Sequence, residues 1–287
     1  MKNTLFLSAL ALLGLTGPAL AQTTIESKPT RTSLDEMLKP GHQEWQSMPE
    51  STIKMAPQNI AKPMLSKGTF QELKVRSSVT KNWLLIRMEW EDPNADAELT
   101  RGEFSDACAV QFCAKGDAKD TSPFMGNPGK PVHILHWKAI WQADIELGYR
   151  DVEHGYPNMY VDYYPLAEGK KTEDIKGPAL QYNPARSLNN PMSLTQRKQP
   201  MEELVAVGFG SATSQAHLDA KANGQHSNKK WSVVFARPLE TPDPSDSQLK
   251  AGSSVPIAFA LWDGATRNRG GRKHYCMWQT LKIGGTP

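Results

Sequence analysis

The sequence predicts an all-β protein, an antiparallel β-sandwich with long loops and few short helices. Short apolar runs bounded by turn residues recur from about residue 68, and many contain β-branched or aromatic residues. Several alternate with a period of two: within residues 83–90, Arg87 and Glu89 occupy positions expected to face solvent. Long helical periodicity is absent except near 144–148. The 8 Trp and 21 Pro also fit short strands and long loops better than a helical bundle.

The apolar runs define the expected strands. In chain order they span residues 69–75, 83–90, 107–112, 132–139, 204–208, 231–237, 255–262 and 275–283. Two long polar stretches, 149–200 and 211–229, interrupt the series. Loops of that length in a compact domain usually bind or cover something, although the first also fits a surface loop wrapped around packed aromatic residues. About 220 residues in one sandwich are enough to bury a full core.

Residues 1–21 are typical of a secretory signal peptide. Lys2 supplies a positive start, residues 5–15 are apolar, and residues 19–21 match a small-x-small cleavage site. The apolar run is shorter than the ~20 residues that cross a bilayer. The sequence shows no second candidate membrane span and no twin-arginine pair. We therefore expect export by the general secretory route, cleavage near Ala21 and a periplasmic mature protein.

Residues 22–67 are expected to form an extended N-terminal arm, which leaves residues 68–287 as the sandwich domain. This first segment is rich in Pro, Ser, Thr, Lys and Gln, and its prolines and glycines break any periodic pattern. Residues 34–38 allow one or two helical turns. Two alternatives stay open for the segment, since it fits an arm that lies along a partner as well as a disordered leader.

Composition and motifs exclude several functions. Lys plus Arg number 33 against 30 Asp plus Glu, a net charge of +3 without the clustered basicity of a nucleic-acid-binding protein. The sequence contains no nucleophile elbow, phosphate loop or dinucleotide fingerprint, and its carboxylates show no readable acid/base arrangement. No Cys/His cluster has zinc spacing, and the absence of Cys-x-x-Cys-His excludes covalent c-type haem.

Three cysteines are too few for a disulfide scaffold. Cys108 and Cys113 are five residues apart in a predicted strand, where their side chains face opposite sides about 17 Å apart and cannot pair. Cys276 on a neighbouring strand could bridge to one of them. Three buried free thiols are an equally good reading of the same pattern.

Four segments, in a fixed order, carry a family resemblance. They are Ala-Val-Gln-Phe at 109–112, Ser-Pro-Phe-Met-Gly at 122–126 leading into 131–139, the run 202–213 followed by 231–239, and Trp-Asp-Gly at 262–264 followed by Gly-Arg-Lys at 271–273 and Trp278. Together they resemble the haem b subunit of the type II dimethyl sulfoxide reductase family. That family includes ethylbenzene dehydrogenase, dimethyl sulfide dehydrogenase, selenate reductase, chlorate reductase and periplasmic-type nitrite oxidoreductases. The resemblance covers about residues 68–283, and Cys113 departs from it where a proline is expected.

The resemblance implies a β-sandwich that holds one non-covalent haem b. Carried over by motif, the axial ligands of the iron are Met125 and Lys273. The residue chemistry agrees, because a thioether is a soft ligand that favours reduced iron. A lysine ligates only as the free amine, which burial favours by lowering its pKa.

Each assignment has a competing interpretation. A Met beside Phe124 is usually a core residue, and a Lys after Gly-Gly-Arg usually lies in a solvated turn. Histidine is a common haem ligand, so His274 competes with Lys273 as a ligand of the iron. His133 and His136 are further candidates, and they face opposite sides of a predicted strand. Other residues have supporting roles in this hypothesis: Trp137, Trp262 and Trp278 as apolar walls, and Lys138, Arg237 or Arg272 as partners of the haem propionates.

The leading interpretation is therefore an electron-transfer subunit without substrate chemistry of its own. The resemblance implies three partners: a catalytic subunit with a molybdenum–bis-pterin cofactor, a subunit with iron–sulfur clusters, and a soluble c-type cytochrome. One rival is a secreted carbohydrate-binding sandwich module, which would expose a flat row of aromatic residues. A second rival is a stand-alone periplasmic cytochrome b. A buried Met/Lys pair in an apolar slot distinguishes both haem-binding interpretations from the carbohydrate-binding one.

Overall fold

The computed structural model describes residues 22–287 except for 99, 116, 151, 159–184, 186–189, 191 and 192. The predicted signal peptide, residues 1–21, and most of the 149–200 stretch lie outside the described residues. Within them the chain is mainly β-structure, as predicted. None of the described helices is both long and apolar enough to cross a lipid bilayer.

The described residues form fourteen strands and a few short helices. The strands are β1 (Thr24–Pro29), β2 (Ser51–Lys54), β3 (Ala56–Pro57), β4 (Glu72–Val79), β5 (Trp83–Glu91), β6 (Ala107–Cys113), β7 (Val132–Lys138), β8 (Met201–Ala206), β9 (Thr213–Ser214), β10 (Lys221–Ser227), β11 (Lys230–Pro238), β12 (Ser254–Trp262), β13 (His274–Tyr275) and β14 (Gln279–Lys282). The helices are α1 (Leu34–Met37), a 3-10 helix (Gln43–Ser47), α2 (Ala139–Leu147) and α3 (Val152–Gly155).

The strands form two sheets joined at one strand. The first sheet has the order β14-β12-β6-β7-β8-β9, and the second has the order β4-β5-β11-β10. β1 connects them: Thr24–Glu26 pairs in parallel with β14, and Ser27–Pro29 pairs in parallel with β4. All other pairs of the described strands are antiparallel. The predicted antiparallel sandwich is therefore confirmed, with β1 as a parallel strand that changes sheets.

The core lies between the inner faces of the two sheets. Successive side chains of a strand point to opposite faces, and on β7 the fully buried Trp137 points inward, where its ring lies 5.0 Å from that of Trp231 on β11. On β6 the inward residue Phe112 packs below the guanidinium of Arg237, also from β11. These contacts across the sandwich fix which face of the first sheet is the inner one. The other face is free to form a site.

The segment expected to be an N-terminal arm packs on the sandwich along its length. Ile25 on β1 is fully buried in the core. Ser33 caps α1 by accepting a hydrogen bond from the backbone of Glu36 (3.3 Å). A small cluster that includes Met37 and Trp45 packs against the outer face of the second sheet. These elements are too short, and too interrupted by proline, to produce a periodic sequence signal.

The polar stretch 211–229, predicted to be a loop, instead contains β9 and β10. β10 is an edge strand, and an edge strand keeps its backbone ladder while its side chains remain polar. Its sequence, Lys-Ala-Asn-Gly-Gln-His-Ser, therefore lacks the alternation on which the prediction relied. Gly224 in its middle is required, because a Cβ atom there would collide with the indole ring of Trp137.

All three cysteines are free thiols. Cys108 and Cys113 lie on the same strand, β6, as the sequence predicted. The Sγ atom of Cys276 accepts a hydrogen bond from the backbone of Phe259 (3.2 Å). Burial raises the pKa of Cys276 to about 12, which keeps this thiol protonated.

Candidate functional site

A cavity of about 380 Å³ lies on the outer face of the first sheet. Its floor consists mainly of alanines from the two central strands: Ala109 of β6, and Ala258 and Ala260 of β12. Small side chains at these positions leave room directly above the backbone of the sheet. Ile134 and Leu204, from β7 and β8, extend the floor on one side. The sheet thus provides a flat and apolar surface.

Aromatic side chains enclose the cavity. The ring of Phe124 lies 5.1 Å from that of Tyr275 in an edge-on arrangement and 6.5 Å from that of Phe209 in a stacked one. Trp262, at the end of β12, closes the opposite side. Flat apolar walls around a flat apolar floor form a site suited to a large planar ligand.

Met125 lies in a tight turn, residues 122–130, between β6 and β7. Met125 (φ 69°) and Gly126 (φ 73°) both have left-handed backbone conformations. For a residue with a Cβ atom this conformation costs about 1–2 kcal/mol. The turn compensates, because the backbone N–H of Gly126 donates to the carbonyl of Ser122 (3.1 Å). The carbonyl of Met125 also accepts a hydrogen bond from Gly208 (2.7 Å), so the turn fixes Met125 at the cavity.

Lys273 follows a glycine-rich turn between β12 and β13. Gln58 holds this turn: its backbone N–H donates to the carbonyl of Lys273 (2.8 Å), and its side-chain amide donates to the carbonyl of Gly271 (2.8 Å). The indole N–H of Trp262 donates to the carbonyl of Gly270 (3.0 Å). A residue from the N-terminal segment therefore helps to position the lysine.

Met125 and Lys273 meet in the cavity although 148 residues separate them. The Nζ atom of Lys273 lies 3.4 Å from the Sδ atom of Met125 and 5.3 Å from the ring centre of Trp262. Burial lowers the pKa of Lys273 to about 8. At pH 7 about a tenth of such a lysine is the free amine, far more than for an exposed lysine. The site thus presents a soft sulfur and an available amine nitrogen side by side.

A family model described as ethylbenzene dehydrogenase matches residues 42–274, which include both Met125 and Lys273. The chain belongs to this family. The resemblance predicted from the sequence is thereby confirmed. The match begins at residue 42, inside the segment that was expected to be an arm.

Three relatives support the family assignment. A provisionally named respiratory nitrate reductase heme subunit of Haloferax mediterranei is 23% identical over 280 residues, 96% of this chain and 80% of that protein. Chlorate reductase subunit gamma of Ideonella dechloratans is 25% identical over 215 residues, 74% of this chain and 65% of that protein. Dimethylsulfide dehydrogenase subunit gamma of Rhodovulum sulfidophilum is 25% identical over 207 residues, 71% of this chain and 57% of that protein. The chain spans less than two thirds of the last two relatives.

The chain has a distant likeness to some solved structures. A carbohydrate binding module of family 9 from Caldicellulosiruptor kristjanssonii, in complex with glucose, is 8% identical. It superposes with a TM-score of 0.42, covering 92% of this chain and 97% of that chain. A likeness at this level carries no information on function.

The donor set of this member of the ethylbenzene dehydrogenase family fits a haem. A haem needs a flat apolar slot and axial side chains aimed at its iron. Here a thioether and an amine of lowered pKa converge inside such a slot, and the described cavity wall contains no carboxylate. Met125 and Lys273 are therefore the residues that would hold the iron, an assignment that stays a prediction.

The three rival histidines differ in position. His274 points away from the cavity: its Nε2 atom accepts a hydrogen bond from the backbone of Thr69 (2.8 Å), which occupies the lone pair that a metal would need. His133 lies on the inner face of β7. Of these three histidines, only His136 lines the cavity. Its Nδ1 atom lies 3.2 Å from the carboxylate of Glu202.

Of the predicted tryptophan walls, only Trp262 lines the cavity. Trp137 points into the core, because it is an odd-numbered residue of a strand whose even-numbered residues face the site. Trp278 acts indirectly, since its indole N–H donates to the carbonyl of Thr121 (2.8 Å), just before the methionine turn. Among the basic residues, Arg237 is fully buried between the sheets, on the face opposite the cavity.

Sequence reasoning missed several residues that shape the site. Phe209 lies between two glycines in a short motif that carries no specific signal, yet its half-exposed ring closes the cavity. The floor alanines also escaped notice, although their recurrence at alternate positions of β12 indicated a flat surface. Gln58 had no signal at all, because its partners are backbone carbonyls of a distant turn.

Proposed function

We propose that the chain is a non-catalytic electron-transfer subunit that holds one non-covalent haem b between Met125 and Lys273. The observation that carries this proposal is the 3.4 Å approach of the Met125 sulfur and the Lys273 nitrogen inside an apolar cavity. Hydrolysis and sugar binding would both require polar groups that converge on a substrate. The described lining of this cavity is predominantly apolar.

When bound, the haem supplies a one-electron redox centre. Met125 donates a neutral sulfur that favours the reduced iron and raises the potential. Lys273 donates an amine whose low pKa makes it available near neutral pH. The aromatic walls would shield a bound haem from much of the solvent. Ligation of the iron by both Met125 and Lys273 would leave no ready position for a substrate, which fits electron transfer.

The names of the relatives support a proposal for the partners. Two of them are named as gamma subunits, of chlorate reductase and of dimethylsulfide dehydrogenase, and a third as a heme subunit of nitrate reductase. We propose by analogy that the chain assembles with a molybdopterin catalytic subunit and an iron–sulfur subunit. It would pass electrons between the iron–sulfur clusters and a soluble c-type cytochrome. The signal-peptide pattern at residues 1–21 supports a periplasmic location.

The proposal is tested by spectra of the full-length chain expressed with export to the periplasm and with haem supplied. A pyridine haemochrome assay identifies the haem, and oxidised and dithionite-reduced spectra report its ligation. We expect one haem b per chain in a low-spin form. Met125→Leu and Lys273→Gln, which keep side-chain size, are expected to lose the low-spin bands.

Matched variants separate ligation from general damage. Met277→Leu and Lys250→Ala change the same residue types at exposed positions and are expected to keep the low-spin spectrum. A folded wild-type chain that binds no haem would refute the proposal and favour the carbohydrate-binding alternative. A haem-loaded chain that never copurifies with a large molybdenum subunit, when both are expressed together, would indicate a stand-alone cytochrome b.

A further inference from the structure

A second group of ligand-type side chains lies inside the sandwich, on the face of the first sheet opposite the cavity. His133 on β7 and Glu203 on β8 both point inward. Asp246, from the connection between β11 and β12, joins them. One ligand atom from each residue lies within 4.8 Å of the other two, and all three residues are buried.

Several polar atoms of this group have no hydrogen-bond partner. Both ring nitrogens of His133 are unpaired, as are the Oε1 atom of Glu203 and the Oδ2 atom of Asp246. These side chains are at least nine-tenths buried, so water does not readily satisfy them. A buried polar atom without a partner costs about 1–3 kcal/mol. Four such atoms in one place indicate a site for a ligand that would satisfy them.

The separations match a coordination shell better than a hydrogen-bond network. The Nε2 atom of His133 lies 3.3 Å from the Oδ1 atom of Asp246 and 3.7 Å from the Oε1 atom of Glu203, without hydrogen-bond geometry in either case. With bonds of about 2.0–2.2 Å, two ligands of a tetrahedral zinc ion are roughly 3.3–3.6 Å apart. The two separations from the His133 Nε2 atom are therefore close to the edges of such a tetrahedron, and the ligand atoms of Glu203 and Asp246 lie within 4.8 Å of each other.

The local charge also favours a cation. Glu203, Asp246 and the nearby Asp219 all act on a single buried guanidinium, that of Arg237. Arg237 makes no ion pair with these carboxylates; it donates to the carbonyls of Pro238 and Ser247 instead. Glu203 and Asp246 are both buried beside this one guanidinium, so a divalent ion between them would offset the charge that their carboxylates bring into the core.

We propose that His133, Glu203 and Asp246 bind one divalent transition-metal ion of the zinc class. Imidazole combined with carboxylates is a donor set suited to such an ion. Gln215 stands beside the site, where its side-chain amide donates to the Oδ1 atom of Asp246 (2.8 Å) and would help to orient that carboxylate as a ligand. The ion would join β7 and β8 to the β11–β12 connection. Its role would be structural and independent of the haem.

The test uses the full-length chain, freed of metal with a chelator and then titrated with Zn²⁺ alone. Bound zinc is counted by mass spectrometry, and affinity is measured by competition with a chromophoric chelator. We expect one zinc per chain and a higher melting temperature with zinc. Asp246→Asn keeps the side-chain shape and is expected to weaken zinc binding by at least about tenfold. His133→Ala is a second variant with the same expectation.

His136→Ala is the matched control, because His136 lies three residues from His133 on the same strand but faces the cavity. It is expected to keep the zinc. The proposal is overturned if the folded wild-type chain binds no zinc above background, or if folded Asp246→Asn binds it as tightly as the wild type. Circular dichroism establishes that each variant is folded.

Discussion

Ala109 and Ala260 are direct partners on neighbouring antiparallel strands, and both side chains face the cavity. The pair lies where β6 and β12 run side by side at the centre of the first sheet. Larger residues at either position would fill the space above the sheet. The depth of the site therefore depends on two methyl groups.

Ala260→Leu is expected to reduce haem binding by at least about tenfold while the chain stays folded. The added side chain occupies the cavity instead of the core, so the overpacking cost of about 1–3 kcal/mol falls mainly on the ligand. Haem titration followed by absorbance measures the effect, and thermal unfolding measures stability. Ala265→Leu, at an exposed position, is the control and should bind haem normally. Normal haem binding by Ala260→Leu would place the haem elsewhere.

Gly126→Ala is expected to destabilise the methionine turn. A Cβ atom at this position would lie 2.8 Å from the carbonyl oxygen of Lys130 and 2.9 Å from that of Ala206. We expect a loss of about 2–3 kcal/mol in the free energy of unfolding and loss of the low-spin spectrum. At Gly129, also at positive φ but with nothing within 4 Å, the same change should cost only about 1 kcal/mol. Equal effects at both glycines would argue against this explanation.

Gln58→Ala is expected to weaken haem binding although it changes neither of the predicted ligand residues. The change removes the hydrogen bond to the carbonyl of Gly271 (2.8 Å), which holds the turn before Lys273, and the bond to the carbonyl of Ala61 (2.8 Å) within the N-terminal segment. We expect a loss of about 1–3 kcal/mol in stability and a larger high-spin fraction in the oxidised spectrum. Gln248→Ala is the control, because Gln248 likewise donates to loop carbonyls, but far from the cavity. A fully low-spin Gln58→Ala protein would contradict the prediction.

The buried carboxyl of Asp92 is expected to make stability depend on pH. Burial, reinforced by the neighbouring carboxylates of Asp263 and Asp96, raises its pKa to about 7. Its pKa in the folded protein thus exceeds that in the unfolded chain, so the folded state binds more protons between about pH 4 and pH 7. The free energy of unfolding consequently falls as the pH rises through this range. Asp92→Asn should therefore make the free energy of unfolding less dependent on pH in this range.

Urea unfolding in the presence of a chelator checks this prediction. Asp92→Asn is expected to raise the free energy of unfolding by on the order of 2 kcal/mol at about pH 8, and by much less at about pH 5. Asp35→Asn, at an exposed site, should show no comparable difference between the two pH values. A stabilisation by Asp92→Asn that is equal at both would mean that its carboxyl does not titrate in this range.

The strands predicted from the sequence are those with apolar runs that the fold buries, such as β5 and β6. Strands without that pattern were missed for specific reasons. β10 carries polar residues because it lies at a sheet edge, and β1 contributes a single apolar side chain to the core, that of Ile25. Alternation of apolar residues reveals strands whose side chains are buried. It does not reveal strands that are held mainly by backbone hydrogen bonds.

The residues of the site were likewise only partly predictable from the sequence. Met125 and Lys273 were predicted as ligands because the family motifs carry them, whereas no local pattern could reveal that the two residues meet. Alternation correctly placed the two histidines of β7 on opposite faces: His133 faces the core, and His136 faces the cavity. The tryptophans were harder: Trp137 and Trp262 have similar sequence surroundings, and only strand register decides which of them reaches the site.

The position of the cavity outside the two-sheet core has a consequence for biogenesis. The inner faces bury each other without any contribution from the ligand, so the apoprotein can complete its folding before the prosthetic group arrives. Binding then adds stability only through mass action, about 4 kcal/mol at a thousandfold excess over the dissociation constant. A cell short of iron would accordingly accumulate a folded reserve of this chain, ready for later insertion of its cofactor, instead of losing it to proteolysis.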